Sequence, residues 1–465
     1  MSDFDLVILG AGSAGYSCAL RAAQLGLSVA LVDDTPVGGT CLHRGCITAK
    51  AWLHAAEVRR TVEAAPAFGV AATLDGVDAS AIRGYADGVI NQLHRGLGGL
   101  LKGRGVTVIA ERGTVVVDDD GPGILAAGIL HRGRAIVLAT GAEPATAGLT
   151  IDGQHVVTSA HALRLESLPA QAIVLGGGVI GVEFASLWND LGVQVTLVEA
   201  APRLVLGEEE GHSRILAKEL QRRGVDVRLG ASLNDVTATT DGVTARLGDE
   251  ELAAELLLVA VGRRPATGGL GLSEAGIAVA DSGHISVDES LRTNVSGVWA
   301  AGDLVAGPQL AHRGYAHGIF LAEQIAHLQG KFPNRPRLAS DKDLPRVTYS
   351  SPQLASVGLT AAEAGPDAEV VDYRLAGNGR ALLLRDPGER EIGAVRLVRG
   401  PGGAIIGVHL VGDNVAELVA EGALLVGWGA TPADVAGIVH AHPTLGEAIA
   451  EANWVLAGQG LHTHG

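Results

Sequence analysis

One pattern occurs twice in this chain. The stretch LVILGAGSAGYSCALRAAQLGLSVALVD from Leu6 to Asp33 returns 166 residues later, from Ala172, as AIVLGGGVIGVEFASLWNDLGVQVTLVE. Gly10, Gly12 and Gly15 fall on Gly176, Gly178 and Gly181, and Asp33 falls on Glu199. Each copy is a short apolar strand, a glycine turn, a helix and a second apolar strand, the βαβ unit of a parallel sheet. A lone Gly-x-Gly-x-x-Gly is weak evidence. Here each copy also follows a strand, opens a helix and places a carboxylate 23 residues after its first glycine. The first glycine makes the tight turn, the second lets backbone N–H groups approach a pyrophosphate, and the third lets the helix pack on the sheet. The acid accepts from a ribose diol, and the helix N-terminus attracts the phosphates. Two glycine-rich turns without a ligand are the competing reading.

Composition narrows the class. At 465 residues the chain is too long for one ordinary domain. A formal net charge of −16 argues against a nucleic-acid scaffold or an anionic membrane surface, and 3% aromatics weakens any case for base stacking. Hydrophobic residues at 47% supply an ample core and exclude disorder over most of the chain. Glycine, at 66 residues, is about twice as common as usual, which fits several turns where backbone approaches a ligand. The N-terminus carries acids where a signal peptide needs basic residues, and no run reads as a membrane span, so the expected location is cytoplasmic.

Other strands are expected around 106–117, at VLATG (137–141), at LLLVAVG (256–262) and at VWAAGD (298–303). Helical spacing begins near residue 51 and gives way to a less regular, Gly-containing stretch. After PNRP (333–336) the character changes to strands followed by helices, a separate α+β domain with one long apolar helix face.

Three cysteines, Cys18, Cys41 and Cys46, exclude a secreted disulfide framework. Cys18 lies on the first module's helix and reads as core. Cys41 and Cys46 stand in GGTCLHRGCITAK, just after the first module, with a helix starting near Cys46. A regular helix would separate them by about 7.5 Å along its axis, more than the roughly 7 Å that a disulfide tolerates. A bridge therefore needs an irregular turn, for which Gly45 gives freedom. Redox chemistry is the favoured reading. Two free thiols, or half of a zinc site whose further ligands are missing nearby, are the others. Near the C-terminus, His440-Ala441-His442-Pro443-Thr444-Leu445-Gly446-Glu447 offers an imidazole that an acid can orient as a base. From spacing alone, a His before Pro at a helix start with Glu in the first turn is the more ordinary explanation.

Together, the two modules, the cysteine pair and the C-terminal His–Glu resemble the FAD-dependent pyridine-nucleotide disulfide oxidoreductases, and within them the lipoamide-oxidising branch. The resemblance spans essentially the whole chain. It rests most on GGTCLHRGCITAK, VLGGGVIGVEFAS, AVGRRP, WAAGD and HAHPTLGEAIAEA. It implies an α/β fold with two Rossmann-like dinucleotide-binding domains and a C-terminal α+β dimerisation domain. The boundaries are 1–147 for the first part of the FAD domain, 148–266 for the NAD domain, 267–337 for the second FAD part and 338–465 for dimerisation. FAD binding is implied for Gly10, Gly12, Gly15, Asp33, Thr40, Lys50, Gly141, Gly302 and Asp303. NAD binding is implied for Gly176, Gly178, Gly181, Glu183, Glu199 and Gly262. A carboxylate at 199 repels a 2′-phosphate, and only Arg203 is basic nearby, so NAD is favoured over NADP.

Cys41 and Cys46 become a redox-active disulfide, with His442 and Glu447 the catalytic base and its partner, and no metal is expected. Dihydrolipoamide is then oxidised by NAD⁺. The partners implied are a second copy and a lipoyl domain of a 2-oxo acid dehydrogenase or glycine-cleavage complex. Reduction of another acceptor, such as a quinone or small disulfide, and a largely structural flavoprotein are the alternatives. One departure stands out: Thr48-Ala49 occupies the place of the family's Pro-Ser or Pro-Thr. Loss of the proline should loosen the helix start, with Thr48 placed to cap it instead.

Overall fold

The computed structural model describes residues 3–385, 388 and 393–462. The chain forms two compact units. The first comprises Met1–Ala49, Gly84–Ala145 and Arg263–Asp341, and the second Lys50–Arg83, Thr146–Gly262 and Lys342–Gly465.

The first unit is built on a five-stranded parallel sheet in the order Val298–Ala300, Ile136–Leu138, Leu6–Leu9, Val29–Val32, Thr107–Ile109. Leu6, Val7 and Ile8 are wholly buried, as are Ile136, Val137 and Leu138. Strands covered on both faces read as unbroken apolar runs, which is why these segments lack the alternation of a half-exposed strand. At about 1.5–3 kcal/mol for each large side chain removed from water, these strands dominate the unit's core. The helices Ser13–Gln24 and Ala311–Leu328 pack against each other. An antiparallel meander, Gly113–Asp118, Gly121–Ala126 and Ile129–Arg132, completes the unit's main sheets, and Arg263–Pro265 pairs with Ala142–Pro144.

The second unit repeats the plan with a parallel sheet in the order Asp226–Leu229, Gln194–Glu199, Gln171–Leu175, Leu256–Val259, Val156–Val157. Beside it in sequence runs the meander Leu233–Ala238, Val243–Leu247, Glu250–Ala254. Residues from Arg346 onward form a five-stranded antiparallel sheet in the order Arg346–Thr348, Gln353–Gly358, Ile405–Gly412, Gly393–Arg399, Glu369–Arg374. The helices Val415–Trp428 and Glu447–Leu456 pack on this sheet and share its core. Outward from it, Leu424, Trp428, Ile438 and Val439 remain exposed, Val439 almost fully at 95%.

One segment differs from its sequence reading. Residues Ala79–Gly103 form a 25-residue helix, where the glycines suggest irregular chain. Ala86, Ile90 and Leu101 recur at helical spacing and are buried, and this periodic burial outweighs the glycine cost of about 1 kcal/mol each. Among the described residues no helix is long and apolar enough to cross a membrane.

Candidate active site

The two glycine turns have the same geometry. Gly10 and Gly176 adopt φ of +105° and +110°. A Cβ on Gly15 or Gly181 would lie 1.8 Å from the carbonyl oxygen of Gly10 or Gly176, so those positions exclude any side chain. Gly12 and Gly178 differ: each caps its helix in an extended conformation, and a Cβ there would meet nothing within 4 Å. Their missing side chains leave open space in front of helix N-termini that no side chain caps. That is the cradle a dinucleotide pyrophosphate requires, and both turns fit it.

Each module's acid first clasps its own turn. Asp33 Oδ2 accepts the Ala11 N–H at 2.6 Å, and Oδ1 accepts from the backbone and hydroxyl of Thr35, each at 2.7 Å. Glu199 accepts the N–H groups of Gly177 and Ala201 at 2.5 and 2.6 Å. A carboxylate has about four lone-pair sites, so capacity remains for a diol. Arg203 spends its guanidinium on the carbonyls of Glu208 and Leu206, at 2.9 and 2.6 Å, and Arg228, on the neighbouring strand beside Val198, is paired with Asp226 and Glu250.

The cysteines stand on two successive helices. Cys41 belongs to the short helix Gly39–His43, and Cys46 opens Cys46–Ala64. Arg44, at φ −141°, breaks the path between them, the irregular turn that a bridge would need. Thr40, on the short helix, accepts the Arg44 N–H through its carbonyl at 2.9 Å. A Cβ on Gly45 would lie 2.9 Å from that same oxygen. Cys41 is half-buried and Cys46 exposed. Cys18 is core, as expected, and burial pushes its thiol up to about 12. Thr48 corrects the capping expectation. It is 1% exposed and its Oγ1 bonds to nothing, so it does not replace the lost proline with a cap.

Lys50, one turn beyond Cys46, donates to both oxygens of Glu183 at 2.8 and 2.9 Å. Glu183 is buried, contrary to the alternative of an exposed helix acid. It also accepts the Tyr349 N–H at 3.0 Å, and the Lys50 ammonium sits 4.4 Å from the Tyr349 ring centre. Tyr349 carries no motif, so sequence reading passes over it.

Gly302 and Asp303 form a single tight turn after the strand Val298–Ala300. Burial pushes the Asp303 carboxyl up, while the charges of Arg263 and Arg313 oppose it. The turn is fixed from the Ala311–Leu328 helix. His317 Nδ1 accepts the Gly302 N–H at 3.2 Å, and Arg313 donates to the carbonyls of Gly302 and Ala306 while pairing with Asp341 at 2.7 Å. Arg313 and His317 are supporting residues that sequence reading misses. Gly141 and Gly262, each at positive φ, lie just beyond the strands Ile136–Leu138 and Leu256–Val259.

His442 Nδ1 meets Glu447 Oε1 at 2.8 Å, and Oε2 of the same carboxylate accepts the Thr444 N–H at 2.8 Å. Burial raises the Glu447 carboxyl, but these bonds prevail and hold it below the usual value. The imidazole side chain is 79% exposed, open to a substrate while one ring nitrogen is held. A second pair, His440 Nε2 to Glu421 Oε1 at 2.8 Å, lies two residues upstream, and its spacing in sequence carries no signal.

Two dinucleotide cradles, an accessible cysteine turn and an acid-held imidazole define an oxidoreductase of the nucleotide–disulfide class. Residues 4–318 match the pyridine nucleotide-disulphide oxidoreductase family, and residues 344–453 match that family's dimerisation domain. The chain belongs to this family. It is 36% identical to the dihydrolipoyl dehydrogenase of Thermus scotoductus and 36% identical to one from Bacillus subtilis, with 99% of each chain covered in both cases. Among solved structures, LpdA from Mycobacterium tuberculosis superposes with a TM-score of 0.87 at 27% identity, over 97% of this chain and 99% of that one. The HOCl-induced flavoprotein disulfide reductase RclA of Escherichia coli, solved as a Cu(II) complex, gives 0.83 at 26%, over 98% and 100%.

Proposed function

We propose that the protein oxidises dihydrolipoamide with NAD⁺, using FAD and a Cys41–Cys46 disulfide. The observation that carries this reading is the 2.8 Å bond between His442 and Glu447, which orients an exposed imidazole as a base. Residues 1–147 and 267–337 hold FAD through Gly10, Gly12, Gly15, Asp33, Thr40, Lys50, Gly141, Gly302 and Asp303. Residues 148–266 hold NAD through Gly176, Gly178, Gly181, Glu183, Glu199 and Gly262. Residues 338–465 join two copies, and the His442–Glu447 pair of one protomer serves the cysteines of its partner.

His442 takes the proton of a substrate thiol, and Glu447 stabilises the imidazolium that results. The substrate thiolate attacks the Cys41 sulfur, forming a mixed disulfide and releasing the Cys46 thiolate. The second substrate thiol then displaces Cys41, its proton passing to the departing Cys41 sulfur, and the product leaves as a cyclic disulfide. Bound FAD supplies the two-electron carrier between the cysteines and NAD⁺. The Lys50–Glu183 pair, steadied by Tyr349, fixes a cation with its counter-charge where the second module's helix begins. The lipoyl domain of a cytoplasmic 2-oxo acid dehydrogenase or glycine-cleavage complex is the partner this chemistry fits. Turnover of the purified flavoprotein with dihydrolipoamide, a quinone and small disulfides is the test. NAD⁺-dependent oxidation of dihydrolipoamide is expected to exceed the other activities, and quinone reduction with negligible lipoamide turnover would overturn the reading.

A further inference from the structure

The segment that carries His442 runs from the helix Pro432–Ala436 to the helix Glu447–Leu456. Residues 437–446 belong to no helix or strand, so side-chain bonds must hold the segment in place. The Thr444 hydroxyl donates to the Ala441 carbonyl at 2.7 Å, closing a turn around His442 and Pro443. Asn378, 4% exposed, ties this turn to the domain by donating from Nδ2 to the Thr444 carbonyl at 3.0 Å. On the other side, His440 Nε2 meets Oε1 of Glu421, which stands on the helix Val415–Trp428, at 2.8 Å. A Cβ on Gly446 would lie 3.7 Å from His440 Cδ2 and 4.0 Å from Glu421 Oε2. The pair therefore lies against both ends of the stretch that the His442–Glu447 bond spans.

The two His–Glu pairs are built alike but present opposite ring nitrogens. An ionised carboxylate only accepts, so the bonded nitrogen carries the hydrogen and the other nitrogen of a neutral ring carries the lone pair. In His442 the held nitrogen is Nδ1, which leaves the Nε2 lone pair on a side chain 79% exposed. In His440 the held nitrogen is Nε2, on a side chain only 13% exposed. Its Nδ1 is buried and meets no hydrogen-bond partner among the described residues. A substrate thiol can reach the first lone pair and not the second, so His440 is not a second base.

We propose that the His440–Glu421 pair is the positioning clamp of His442, anchoring the turn so that His442 and Glu447 keep their mutual geometry while the substrate thiol gives up its proton. The inference rests on the reading of His442 as the base. His440 and Glu421 are positioning residues, acting through His442 rather than on the reacting atoms. A base displaced by about 1 Å can lose on the order of 10²-fold in rate. With Asn378 still holding the turn, loss of the pair should cost less, about tenfold.

The test is a double-mutant cycle read in the two half-reactions of the holoenzyme by stopped-flow absorbance. E421A should lower the limiting rate of flavin reduction by dihydrolipoamide about tenfold and leave flavin reduction by NADH at the parent rate. E421Q, whose amide oxygen still accepts the His440 Nε2–H, should recover most of that loss. In an H442Q background, E421A should cost nothing further, because the residue it positions is gone. A parent-like rate in E421A beside a slow H442Q would overturn the clamp. So would an undiminished tenfold loss in the H442Q background, or equal slowing of the NADH half-reaction, since either marks a general structural defect. If E421A fails to retain flavin, H440L cuts the same bond from the other side and is judged by the same outcomes. A parent-like rate in H442Q itself would overturn the choice of base and the clamp with it, a result distinct from a silent E421A.

Discussion

Gly12 and Gly15 are glycines for different reasons, and substitution separates them. At Gly15 a methyl group meets backbone at 1.8 Å, so Gly15→Ala should cost about 3 kcal/mol of stability through overpacking. At Gly12 the space is open and the backbone extended, so Gly12→Ala should change apoprotein stability by less than about 0.5 kcal/mol. The same change should weaken FAD binding, because the new methyl stands in the phosphate cradle. Melting curves of the apoproteins and flavin titrations separate the two effects; equal destabilisation by both would remove the distinction. His442→Gln keeps the ring's volume roughly but loses the base. Lipoamide turnover should fall about 10²–10⁴-fold while NADH still reduces the flavin in a stopped-flow trace. Undiminished turnover would take His442 out of the mechanism. These residues are legible because each sits in a spaced motif. Tyr349, Arg313 and His317 are not, because their roles come from distant segments folding against them rather than from any local pattern.

At the scale of elements, the duplicated βαβ unit is readable because its strands are continuous apolar runs and its turns need glycine. The Ala79–Gly103 helix is hidden because five glycines inside it (Gly84, Gly88, Gly96, Gly98 and Gly99) obscure the apolar spacing that Ala86, Ile90 and Leu101 nonetheless keep. The helix start at Cys46 misleads in the other direction. Thr48 has the chemistry of a cap, but its position inside the helix turns the hydroxyl into buried, unbonded surface. The end of the Gln194–Glu199 strand makes a specificity prediction. With Arg203 committed to its own loop, Glu199 is the charge at this strand end placed to discriminate. Glu199→Ala should shrink the NAD-over-NADP ratio in kcat/KM by about tenfold or more, the worth of charge-assisted hydrogen bonds. An unchanged ratio would move the discrimination elsewhere. The same variant frees the Gly177 and Ala201 N–H groups, so its KM for NAD should rise as well.

For the whole molecule, buried neutral histidines set the acid limit. Burial lowers His212 to about 3 and His317 to about 4, and it also lowers His409. In the unfolded chain these rings titrate near 6.5, so below that pH the unfolded state binds more protons than the folded one. Stability is therefore full above about pH 6.5 and falls with pH, by about 1.4 kcal/mol per unit for each ring still neutral when folded. His212→Leu removes one such ring, together with its unbonded Nε2, and should flatten the fall in melting temperature between pH 6.5 and 5. A slope identical to the parent's would show that His212 does not contribute. Function at this scale depends on electrons passing between sulfur, flavin and nicotinamide within one assembly. Anaerobic titration of the flavoprotein with NADH, followed by absorbance, reads that transfer. Two electrons should produce a long-wavelength band from the Cys46 thiolate beside oxidised flavin, and Cys46→Ser should lack it. Bleaching of the flavin with no such band in the parent protein would contradict the sulfur relay.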